Sequence, residues 1–133
     1  MRTSDDISTS IYRYVTASPL RDAITGSIYN GVDRPHNADR EDIVVKVIAN
    51  ITAQKQLASV NVNVYVPDIL RGVDYVQDGD RLPYLERMSI DVLERFFTEE
   101  GALVVMESQT TMPSISGREH VINNNLNYQF INV

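Results

Sequence analysis

Between Val60 and Pro67 the chain alternates strictly: Val60, Val62, Val64 and Val66 interleave with Asn61, Asn63 and Tyr65. A period of two in β-branched residues requires a strand with one buried face and one wet or partner-facing side. Ile43, Val45, Val47, Ala49 and Ile51 repeat the pattern upstream. With the polar stretch Thr52 to Ser59 between them, the two runs predict an antiparallel hairpin as the organising unit.

Around that hairpin the chain reads helix, strands, helix, strands. Ile7, Ile11, Tyr14 and Val15 share one helical face, with Ser4 as the expected N-cap and Asp5 and Asp6 suited to the helix dipole. Pro19 opens a short second turn through Leu20 and Ile24, ended by Gly26; Ser27 to Asn30 reads as a short strand and Gly31 to Arg40 as a loop. Asp68 to Leu82 is rich in Gly and Asp without a sustained period, the profile of a working surface or a segment ordered by a partner. From Pro83 a stripe of Leu85, Met88, Val92 and Phe96, widened by Leu93 and Phe97 and closed by Gly101, predicts a second main helix. Strands follow over Leu103 to Gln109 and from about Glu119 to Ile131. The expected fold is one α+β domain over residues 1–133, an antiparallel sheet of about four to five strands with two main helices on one face.

A chain of 133 residues can bury a core without metal or disulfide staples, and it has no cysteine. Met1 to Asp6 carries an arginine and two aspartates before any run of apolar residues, unlike a signal peptide, so a soluble protein made in the cytoplasm is expected. Twelve basic against eighteen acidic side chains give a net charge of −6, which disfavours grasping nucleic acid through phosphate contacts. That charge suits ordinary solubility, or a surface that DNA passes without sticking. Val121 to Val133 contains no charged residue, so this strand must be central, covered, or paired with another subunit.

Catalytic patterns are thin. His36, Asp39, Glu41 and Asp42 are the densest set of metal-ligand types but lack a second nearby histidine, and read as a solvated loop entering a strand. His120 stands alone at a strand start, and Asp78-Gly79-Asp80 is a calcium-loop fragment without its remaining ligands. Pro67-Asp68 ends a strand as a restriction-type nuclease motif does, but Lys46 and Lys55, the only lysines, both lie upstream. A serine-hydrolase elbow and a glycine-rich phosphate loop are missing. No catalytic, cofactor or metal residue is expected.

The layout does resemble a family. An N-terminal helix, then Gly26-Ser27-Ile28-Tyr29 with Gly31 and Arg34-Pro35, then Glu41-Asp42-Ile43-Val44-Val45, then Val60 to Asp68, then a helix and two strands, is similar to the small tail terminator or tail-completion proteins of long-tailed phages. The resemblance lies in element order and short phrases across nearly the whole chain. It implies a non-enzymatic virion protein that forms a ring, commonly a hexamer, caps the tail tube and meets the head-tail connector or head-closure protein. It implies assembly in the host cytoplasm, with no membrane and no specific nucleic acid. Candidate interface residues are Arg34 and Pro35 in one loop and Asp68, Arg71, Asp78, Asp80 and Arg81 in the other, with Arg34 expected to pair with carboxylates across a subunit boundary. The alternatives are another neck component, a head-closure or minor tail protein, or a small metal-dependent hydrolase or nuclease of a mobile element using the acids of His36 to Asp42.

Overall fold

A computed structural model describes residues 1–35, 39–51 and 53–131. Eleven elements follow one another: α1 (Ser4–Thr16), α2 (Leu20–Ala23), β1 (Ile28–Asn30), β2 (Asp42–Ile51), β3 (Lys55–Pro67), β4 (Ile69–Arg71), β5 (Asp74–Val76), α3 (Arg81–Leu93), β6 (Arg95–Phe97), β7 (Leu103–Pro113) and β8 (Glu119–Ile131). Six strands form one sheet in the order β1-β2-β3-β8-β7-β6, and β4 with β5 form a separate hairpin. The α+β class and the central β2–β3 hairpin agree with the sequence reading. The sheet has more strands than expected and is mixed, because β1 runs parallel to β2 with Ile28 beside Ile43.

Register explains the valines. Val60, Val62, Val64 and Val66 lie fully or almost fully buried, opposite Val45 and Ile43 on β2 and beside Leu126 and Ile122 on β8. Ile7, Ile11 and Val15 of α1 and Leu85, Val92 and Leu93 of α3 pack on the same side of the sheet. Each such side chain withdrawn from water contributes about 1.5–3 kcal/mol before entropy is counted. The charge-free segment from Val121 lies in β8, which is central, hydrogen-bonded to β3 on one side and β7 on the other.

Three local expectations change. Thr3, one residue before the expected Ser4, is the N-cap of α1: its hydroxyl accepts from the Asp6 amide while the Asp6 carboxylate accepts from the Thr3 amide. The second main helix stops at Leu93, and Phe96 lies on strand β6 instead of the helix. Phe96 keeps its place in the core by stacking on Tyr14, ring centroids 3.7 Å apart, and the aromatic pair Phe96-Phe97 favours a strand paired to β7. Finally, the Asp68 to Leu82 connection contains the β4–β5 hairpin, turned through Gly72 at φ 66°.

Two bulges shape the sheet. Val47, Val60, Leu126 and Met106 form one row across β2, β3, β8 and β7, and just beyond it the register shifts in both outer strands, between Val47 and Ala49 and between Met106 and Ser108. Bulges bend and further twist the strands that carry them, so this end of the sheet curls.

Candidate functional site

Asp42, at the start of β2, is fully buried, and Arg34 reaches it from the preceding loop. The Arg34 Nε lies 3.0 Å from Asp42 Oδ2, and another nitrogen of the same fork lies 2.6 Å from Glu119 Oε1 at the start of β8. The guanidinium also covers the Tyr65 ring at 4.5 Å and donates to the Arg40 carbonyl. Arg40 closes the junction, pairing with Asp42 and donating to the Tyr29 hydroxyl. Burial works against the Arg34 charge, but the hydrogen bonds and charges of Glu119 and Asp42 outweigh it and raise its pKa. Asp42 Oδ1 further accepts from the Ser27 amide, so the chain at Gly26 passes so close that an added Cβ would collide with that carboxylate and the Glu41 carbonyl. Within its own chain, Arg34 thus meets two carboxylates, Asp42 and Glu119.

Arg81 is occupied in the same way. Its fork grips Glu41 through Nε at 2.7 Å and a terminal nitrogen at 2.8 Å, and donates to the Ala23 carbonyl, locking the start of α3 to α2 and β2. Asp78 accepts from the amides of Asp80 and Arg81, which starts the helix. Asp80 and Pro35 are exposed, and Arg71 is exposed at the turn of the β4–β5 hairpin.

Asp68 Oδ1 lies 2.7 Å from His120 Nδ1, both side chains being largely buried. His120 borders a depression shared with Glu86 and Thr111. A carboxylate behind a histidine supplies two of the three members of a hydrolytic triad, but Thr111 donates to Glu86 and, among the described residues, no hydroxyl hydrogen-bonds to the second ring nitrogen. Of the acidic set proposed as a metal site, Glu41 and Asp42 are held by arginines and Asp39 is exposed, while His36 lies outside the described residues. Among the described residues no group of three or more His, Asp or Glu side chains is arranged to hold a metal. No described helix is long and apolar enough to cross a membrane.

Two surfaces lack a counterpart within the chain. The first is the sheet face opposite the helices, where Asn61 and Asn63 of β3 meet Asn123 and Asn125 of β8 in a ladder of amide hydrogen bonds without a charge. At its curled end this face hollows into a trough of about 230 Å³, with Ala49, Ile51 and Leu57 on one wall and Glu107, Asn125 and Asn127 on the other. The second is the β4–β5 hairpin, which exposes Ile69, Leu70 and Val73 and is rooted by Arg118 over Tyr75 at 4.8 Å. Sequence reading anticipated the polar face from the Asn61, Asn63, Tyr65 alternation but missed the hairpin. Its signal was there: Ile69-Leu70 and Tyr75-Val76 flank a Gly-containing turn. Compared with protein-family models and with curated proteins, the chain matches none.

Proposed function

We propose that the chain is a structural protein of the neck of a long-tailed phage or prophage, a tail terminator or tail-completion protein that closes as a ring on the tail tube and joins it to the head-tail connector. The observation that carries this reading is how the charged residues are used. Arg34 is tied to Asp42 and Glu119, and Arg81 to Glu41, in a frame within the chain, while the unmatched surfaces are a sheet face with an uncharged asparagine ladder and a hairpin that exposes Ile69, Leu70 and Val73. Such an arrangement suits contact between proteins better than chemistry on a small substrate. The order of helix, central hairpin, second helix and closing strands also agrees with what the resemblance implies.

Assembly would proceed by weak association in solution and closure on the tube, each subunit giving one surface and receiving another. Light scattering over a wide concentration range, with negative-stain imaging of the same samples and of samples mixed with purified tail tubes, tests it. Rings near six times 15.0 kDa, or tubes capped at one end, are expected. A chain that stays monomeric and leaves tube ends bare refutes the proposal.

A further inference from the structure

We infer that the β4–β5 hairpin of one subunit seats in the trough on the sheet face of a second copy of this chain. The inference rests on the ring reading and names the surfaces that close the ring. The hairpin follows the end of β3, whereas the trough lies at its beginning beside Leu57. From Leu57 to Pro67 is ten strand steps, roughly 33 Å, and three-residue strands make an arm about 10 Å long. An arm of that length does not reach its own trough, so the occupant is another molecule.

The two surfaces match in chemistry. Leu70 and Val73, the latter 92% exposed, offer branched apolar groups, and Ala49, Ile51 and Leu57 offer an apolar wall of similar kind. Arg71 and Asp74 flank the arm's turn, and neither forms an ion pair among the described residues. The opposite charges stand at the trough: Glu107, on the β7 bulge, lines it, and Lys55 lies two residues before Leu57 at the start of β3, both without ion pairs among the described residues. Arg71 toward Glu107 and Asp74 toward Lys55 fix one orientation of the arm. The Asn127 Oδ1 on the trough wall is buried with no hydrogen-bond partner among the described residues, and a turn of its amide offers it to an incoming donor. Because the giving and receiving surfaces differ, the contact is heterologous and repeats around a ring. One small contact of this kind is weak alone and strong once every subunit makes two.

The chain has no cysteine, so single-cysteine variants report the contact cleanly. Val73→Cys and Leu57→Cys, each checked for an unchanged melting temperature, are mixed and oxidised gently. With equal amounts, random encounter already gives twice as much mixed disulfide as either like pair, so a specific contact about 1.4 kcal/mol better than random should raise the excess to about twentyfold. In parallel, Arg71→Glu and Glu107→Arg should each weaken self-association, and the double variant should restore it. A mixed yield no more than about twice that of either like pair, the statistical ratio, overturns the inference. So do rings that form and cap tubes unchanged in Val73→Asp, which leaves the ring reading standing. Mixed disulfides without rings on any tube sustain the arm-in-trough contact and defeat the ring reading instead.

Discussion

Replacing Arg34 with Ala separates two roles that its position allows. Within one chain the side chain, only 10% exposed, neutralises Asp42, which is fully buried, and Glu119, which is 12% exposed. Removing it leaves Asp42 with Arg40 and the Ser27 amide, and Glu119 with the Ser114 hydroxyl. Breaking a buried pair by deleting one partner costs about 3–5 kcal/mol, and the remaining partners of Asp42 place this case near about 3 kcal/mol. For a chain of 133 residues, an unfolding entropy of about 2.1 cal/mol/K per residue gives about 0.28 kcal/mol/K, hence a loss of about 10 °C in melting temperature. Thermal unfolding followed by circular dichroism, at a concentration where the protein is monomeric, measures this directly. Glu119→Gln in the Arg34→Ala background should recover part of the loss, because one unpaired carboxylate is removed. Arg34→Lys should fall between, since a single ammonium does not span both carboxylates in the geometry of the fork. A monomer that melts within about 2 °C of the parent refutes the reasoning. Weakened ring formation with that unchanged melting would restore the pairing across subunits that sequence alone suggested.

Gly26→Ala should destabilise the fold by about 1–3 kcal/mol, because the new methyl meets the Asp42 carboxylate and the Glu41 backbone in a segment held by hydrogen bonds; urea unfolding checks it, and a neutral result would mean that this junction yields easily. The buried tyrosines predict an alkaline limit. Burial raises the pKa of Tyr14, Tyr65 and Tyr128 above 10.0, and for Tyr128 the neighbouring Glu100 charge adds to it. A folded-state pKa above the unfolded one stabilises fully below the unfolded value and is lost as pH climbs toward the folded one, so the urea midpoint should hold to about pH 10 and fall beyond it. A midpoint unchanged through that range, with all tyrosines titrating together in the native protein, would contradict the burial of these hydroxyls.

Much of the fold was legible because its cause is local. The alternation of Val60 to Val66 named a strand and its buried face, and the apolar spacing of Ile7, Ile11 and Val15 named the face of α1. The lack of charge from Val121 onward limited β8 to a protected position, and the sheet puts it between two long neighbours. Errors came where one pattern serves two structures. Phe96 continues the helical stripe of α3 in sequence, yet a strand three residues long delivers it to the same core against Tyr14. The parallel pairing of β1 with β2 left no signature in three residues.

The candidate surfaces depended on distance along the chain. Arg34, Pro35, Asp68, Arg71, Asp78, Asp80 and Arg81 lie in segments that read as loops, and sequence does not say which of them are already engaged. Arg34 meets Glu119 across 85 positions and Arg81 meets Glu41 across 40, contacts created by strand register and helix docking. Sequence by itself determined the alternation, the helical faces and the charge-free strand, since periodicity is read from neighbours a few residues apart. Only the tertiary structure decided which charges are consumed in the frame, where the sheet curls into a trough and which hairpin stands free, because ion pairs, bulge alignment and uncovered faces exist only after distant segments have packed.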